Sequence, residues 1–132
     1  MKILRLLTIV TLAFSMISIS AVAQPSIAEQ QDAQVIDSLR QANADLSKPH
    51  NIDFFLIFTR KSDAYSAAAE VESLGYSNVA VEALPDQAQW QVHAKRVMVP
   101  ALEAINAITR RLDALAQTHA GYYEGWGTTA VK

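Results

Sequence analysis

A chain of 132 residues with no cysteine can build one core, but it cannot carry a disulfide framework or a thiolate metal site. Its formal charge of −2 gives no basic face of the kind a nucleic-acid binder needs. Lys95-Arg96 and Arg110-Arg111 are isolated pairs, which reads as solvated surface.

The first 23 residues have the pattern of a secretory leader. Met1, Lys2 and Arg5 form a positive head, an uncharged run spans 6–19, and Ala21-Val22-Ala23 gives small residues at a cleavage site. The run is shorter than the roughly 20 residues needed to cross a bilayer, which argues against an uncleaved anchor. Cleavage after Ala23 is therefore expected, with the mature protein periplasmic or secreted and without a stable membrane anchor. Loss of Lys2 and Arg5 lowers the basic count from 11 to 9 against 13 acids, a charge of −4.

Residues 24–34 are rich in Gln, Ala and Ser and read as a flexible mature terminus; the folded domain is expected over 35–132. Val35, Ile36 and Leu39 recur at helical spacing and predict a helix from about Asp32 to Asn43. Pro49 disfavours helical geometry at Lys48 and ends that segment. Residues 52–58 are apolar on both faces, the pattern of a strand buried on both sides. Ser62-Asp63 opens the next helix, with Ala64, Ala68, Val71 and Leu74 as its stripe and Gly75 as its stop.

A second strand follows over 76–84, then a turn at 85–88. A third strand over 89–95 turns Trp90, Val92 and Ala94 inward and Gln91, His93 and Lys95 to water. Pro100 occupies an expected first helical position. Leu102, Ile105, Ile108, Leu112 and Leu115 form the strongest helical stripe in the chain, expected to face the sheet throughout. Gly121 stops that helix, and 122–128 make a last aromatic strand.

The order from residue 52 is β-α-β-β-α-β. It predicts an α+β, ferredoxin-like sandwich: a four-stranded antiparallel sheet with two helices on one face and the first and third strands central. The extra N-terminal helix is expected to cover the other face, over Phe55 and Ile57.

No constellation for catalysis or for a metal or other cofactor emerges. His50, His93 and His119 lack metal-ligand spacing, no G-x-S-x-G elbow occurs, and no glycine-rich phosphate loop is present. Asp53 reads as a residue at the wet end of its strand rather than as a base. An RNA-recognition motif would need sheet-face aromatics in a basic setting. The third strand offers only Trp90, on its inward side. Metal-carrying relatives of the architecture need a C-x-x-C, which is absent. Amino-acid-sensing ones need a glycine-bearing turn, which Thr59-Arg60-Lys61 does not supply.

The chain from about Val35 to Thr128 resembles the regulator of ribonuclease activity B (RraB) family, inhibitors of ribonuclease E. The resemblance rests on Asp-Leu-Ser-Lys-Pro at 45–49, the apolar strand 52–58, Leu-Gly-Tyr at 74–76 and, most specifically, Tyr-Tyr-Glu-Gly-Trp-Gly-Thr at 122–128. It implies a ferredoxin-like variant that acts by docking onto a protein, with no catalytic residues to carry over. Together with the leader it points to a non-catalytic protein-binding regulator whose partner lies outside the cytoplasm. The alternative is ribonuclease E inhibition in the cytoplasm, should the leader go unused. An enzyme or small-ligand domain is a third reading with no residues behind it. The candidate contact residues are Tyr122, Tyr123 and Trp126 on the last, edge strand. Simple alternation would put Tyr122, Glu124 and Trp126 on one face and Tyr123 on the other. One set would close the core and the other would meet the partner.

Overall fold

The computed structural model describes residues 24–132; the expected leader lies outside the described residues. Helix α1 spans Ile27–Gln41, β1 His50–Phe58, α2 Lys61–Ser73, β2 Ser77–Leu84, β3 Gln89–Met98, α3 Leu102–Thr118 and β4 Tyr122–Thr128. The strands form one antiparallel sheet in the order β2-β3-β1-β4, which places β1 and β3 centrally as the ferredoxin-like reading requires. Ile52, Phe54, Leu56 and Phe58 alternate along β1 onto the helical side, where all are fully buried with Val71, Val92, Ile105 and Leu112.

Helix α1 begins at Ile27 rather than near Asp32. The Ser26 hydroxyl accepts from the Glu29 amide, and the Glu29 carboxylate accepts from the Ser26 amide. This capping box satisfies two of the free donors at the helix start, so the stretch read as a flexible terminus is helical from residue 27. The helix also lies elsewhere than expected. It packs against α3 and β4 on the helical side, adding Ile36 and Leu39 to the same core, and does not cover Phe55 and Ile57. Those residues are shielded within the sheet. Phe55 stacks on His93 with ring centroids 4.8 Å apart, and Ile57 lies between Gln91 and Tyr122.

Two helix starts also differ from expectation. Arg60, not Ser62, is the capping position of α2, and its guanidinium donates to Asp63 in the first turn at 2.7 Å. Helix α3 begins at Leu102, beyond Pro100, with Ala101 as its cap. Its inward face is Ile105, Thr109, Leu112, Leu115 and Ala116; Leu102 is 42% exposed and Ile108 only half-buried. The buried stripe follows the straight helix through Ile105, Thr109, Leu112 and Ala116, which passes beside Leu102 and Ile108.

The Asp-Leu-Ser-Lys-Pro segment is a built turn. The Asp45 carboxylate accepts from the Ser47 amide at 3.0 Å and the Ser47 hydroxyl at 2.6 Å, which holds the carboxyl below its ordinary pKa. The Asp45 amide donates to the Val131 carbonyl at 2.6 Å. His50, fully buried at the start of β1, donates from Nδ1 to the Lys48 carbonyl at 2.8 Å and accepts the Val131 amide at Nε2 at 3.1 Å. A carbonyl only accepts and an amide only donates, so both partners select one neutral tautomer.

Gly121 joins α3 to β4 where no side chain fits. A Cβ there would lie 2.4 Å from the Ile57 carbonyl and from the Phe58 ring. The close approach lets β4 follow directly onto β1.

The packing of α3 predicts an uneven response to truncation. Ile105→Ala should destabilise the domain by about 2–5 kcal/mol, the range for a fully buried large-to-small change. Leu102→Ala, at an exposed position, should change stability by under about 0.5 kcal/mol. Urea unfolding of the two variants measures the contrast, and equal effects would contradict this orientation of α3.

Candidate functional site

The aromatic strand β4 does not alternate simply. Tyr123 pairs with Leu56 and Gly125 with Phe55, so Glu124 is an extra residue on β4 and forms a β-bulge. Gly125 has φ +138°, a conformation open to glycine and strained for residues with a Cβ. The bulge shifts the phase of the strand by one residue. Tyr123 and Trp126 therefore both turn to the helical side and are buried, while Tyr122 and Glu124 face out. The three expected contact residues do not share a surface. Tyr122 is 49% exposed on the opposite sheet face, and simple alternation failed because it counted no bulge.

Trp126 and Tyr123 lead to a buried polar cluster. The Trp126 indole N–H donates to Asp32 Oδ1 at 2.9 Å, and the Thr109 hydroxyl donates to Asp32 Oδ2 at 2.7 Å. Asp32 is only 2% exposed and Thr109 1%. The Tyr123 hydroxyl is buried close by, beside Thr109, and burial pushes its pKa up. Burial likewise raises the Asp32 carboxyl above its ordinary value. The Thr109 and Trp126 hydrogen bonds oppose that rise and the charge of Glu29 adds to it. Glu29, one turn before Asp32 on α1, forms an ion pair with Arg110, one residue after Thr109 on α3. Arg110 holds the Glu29 carboxyl below its ordinary pKa, with the Ser26 amide contributing.

A cleft of about 420 Å³ opens above this cluster, between α1 and the outer edge of β4. Gln31, Val35 and Ser38 form one wall, Glu124 and Gly125 the other, and Asp32 and Trp126 line it as well. The cleft mixes polar and apolar surface beside the free edge of a strand, an arrangement suited to contact with a protein segment. Within the cluster both Asp32 oxygens accept hydrogen bonds, one from Trp126 and one from Thr109.

Two of the histidines are also engaged with acids. On the open sheet face His93 Nε2 lies 2.7 Å from Asp53 Oδ1, and Lys95 Nζ lies 3.7 Å from the same oxygen. Asp53 thus sits mid-face in a small charged cluster, not at a strand end. His119 Nε2 meets Glu70 at 2.6 Å. Among the described residues no group of three or more His, Asp or Glu side chains could hold a metal ion.

Sequence reasoning missed Asp32 and Thr109. The available signal was positional: Asp32 stands one turn before Ile36 on the inward face of α1, and Thr109 falls between Ile105 and Leu112 on the inward face of α3. A polar residue in line with a buried stripe needs a partner, and here the two partner each other.

A family model described as regulator of ribonuclease activity B matches residues 29–128, which takes in the buried cluster, every strand and all of the cleft lining but Ala28. The chain belongs to this family of regulators of ribonuclease activity. No curated protein matches the chain.

The buried carboxylate sets a pH dependence. Because its folded pKa is raised, the Asp32 contribution to stability is complete below the ordinary Asp value of 3.8 and is lost as pH rises through the folded value. Asp32→Asn keeps an acceptor for Trp126 and offers Thr109 a donor, so its stability relative to the parent should increase from acid to neutral pH. Asp32→Ala strands both donors and should cost about 1–3 kcal/mol. Urea melts across pH 4–8 test both, and parallel pH profiles for parent and Asp32→Asn would refute a raised Asp32 pKa in the folded state.

Proposed function

We propose that this RraB-family domain is a non-catalytic, protein-binding regulator that is exported and acts on a partner outside the cytoplasm. The observation that carries the reading is the family match across 29–128, which spans the whole ferredoxin-like unit. The engagement of Asp32, His50, His93 and His119 in structural hydrogen bonds supports a binding role over a catalytic one. The leader pattern at 1–23 supports export.

In this reading the partner meets the outer edge of β4, with Tyr122 and Glu124 projecting from the strand. Tyr123 and Trp126 act from beneath by holding the bulge in place. Tyr122 is the one of the three aromatic side chains positioned for direct contact, and tyrosine is among the residues that most often dominate such surfaces. The net charge of −4 after leader removal disfavours direct RNA binding, because phosphate contacts supply most of that affinity.

The second reading is inhibition of ribonuclease E in the cytoplasm, and the family match is what favours it. Compartment separates the two. Intact-mass measurement on protein from the native host should find Gln24 as the first residue, in the exported fraction. A soluble cytoplasmic species retaining Met1, together with dose-dependent inhibition of purified ribonuclease E, would establish the second reading instead.

Tyr122→Ala should leave the melting temperature nearly unchanged and weaken partner capture. Trp126→Ala should lower both, because it empties a core position and strips Asp32 of a donor. Full retention of capture by Tyr122→Ala at native stability would remove this strand edge as the docking surface.

A further inference from the structure

The two basic pairs in the sequence separate in the fold. Arg110 pairs with Glu29, and Lys95 lies by Asp53, so one member of each pair is matched to an acid. The other two, Arg96 and Arg111, line the same hollow between α3 and the α2–β2 junction, with Leu74, Tyr76, Ala107 and Ile108. The hollow has a volume of about 330 Å³. Among the described residues neither arginine has a carboxylate within 4.0 Å. Glu70, which lines an adjoining hollow with Arg111, is taken by His119. Two unmatched arginines in one hollow are notable in a domain where acids outnumber bases.

Arg96 is also held in position. Its guanidinium lies 4.0 Å over the Tyr76 ring, and Nη2 donates to the Leu74 carbonyl at 3.0 Å. Stacking and that bond fix the plane of the fork, so little side-chain freedom is lost when a second group binds its remaining N–H donors. Burial pushes the Tyr76 hydroxyl up, while the positive charges of Arg96 and Arg111 pull it down, which places both charges close to the same ring. Ile108 explains itself here: it is half-buried because it forms a wall of the hollow rather than part of the core.

We infer that the Arg96–Arg111 hollow is a docking site for an acidic segment of a protein partner, a carboxylate side chain flanked by an apolar one. The carboxylate would take the guanidinium donors, and the apolar side chain would lie against Leu74, Ala107 and Ile108. Planar bidentate recognition of carboxylates is what arginine does better than lysine. The apolar walls and the confinement to one hollow match a peptide better than a nucleic-acid backbone, which would be tracked by an extended basic stripe. This site lies apart from the α1–β4 cleft. The inference rests on the protein-binding reading, and its two probes are independent of the partner proposed for the β4 edge.

The experiment uses protein expressed from the full-length chain and two synthetic probes. One is a capped hexapeptide of alternating glutamate and leucine; the other is its glutamine-for-glutamate counterpart. Amide and arginine side-chain NMR shifts are followed during titration at low and physiological salt. The acidic probe should shift resonances of 74–76, 96 and 107–111, bind about tenfold tighter than the glutamine probe, and weaken with salt. Arg111→Gln, at an exposed position, should reduce that affinity about tenfold with no change in melting temperature. Arg96→Lys, which keeps the charge and loses the fork, should reduce it as well. Equal binding of the two probes, shifts centred elsewhere, indifference to Arg111→Gln, or tighter binding of a single-stranded RNA oligonucleotide at the same resonances would each overturn the inference. If the acidic probe fails while capture through β4 persists, the protein-binding reading stands and this site does not.

Discussion

Asp32 accepts one hydrogen bond from Trp126 on β4 and another from Thr109 on α3, and through them a carboxylate on α1 reaches the two elements that bracket the helical side. Removing a carboxylate from water is unfavourable unless its oxygens find donors. Both donors lie on the helical side of the sheet, so the pairing fixes where α1 must sit. The Glu29–Arg110 ion pair one turn away acts in the same direction at the surface, where its contribution is smaller. Ile36 and Leu39 then reach the common core as a consequence of that placement.

The same constraint accounts for the form of β4. Trp126 can reach Asp32 only from the helical side, and Tyr123 occupies that side three residues earlier. An unbroken strand would send positions 123 and 126 to opposite faces. The extra residue, Glu124, together with the positive φ of Gly125 corrects the phase. The Tyr-Tyr-Glu-Gly-Trp-Gly-Thr ending is therefore a geometric unit: two inward aromatics, a bulge between them and a glycine that permits it. The bulge also disturbs the free edge of the sheet beside the cleft, so core packing and the character of the candidate surface are linked.

With α1 on the helical side, the other sheet face stays open, and its residues solve the problem that leaves. Phe55 is shielded by the stacked His93 ring, which in turn meets Asp53. Polar side chains cover apolar surface here without a helix, and the face remains wet enough for Lys95 and Asp53 to lie close without full burial. The charges thus fall into matched groups on the open face and at the α1–α3 seam, and the unmatched Arg96 and Arg111 are left together at the far side of α3.

Much of the architecture was legible in residue order alone. The double-sided apolar run at 52–58, the alternation of 89–95 and the stripe after Pro100 determined the element order, the central place of β1 and β3, and the wet side of β3, because period and burial are local properties. The family could be read from the 122–128 ending and the Asp45 turn for the same reason: each is a contiguous piece of backbone chemistry. Other features depended on distance in the chain. The start of α1 carried a local signal, the reciprocal Ser26–Glu29 cap, that the apolar spacing did not reveal, whereas its position needed Asp32 to find Thr109, 77 residues on, and Trp126, 94 residues on. The facing of Tyr123 and Trp126 needed the register of β4 on β1, which a single inserted residue reverses. The pairing of Arg96 with Arg111 needed α3 to cross the sheet. Sequence by itself determined the order of helices and strands and which family they form. Tertiary structure alone decided which polar groups meet, because a buried polar side chain is placed by partners that other elements supply.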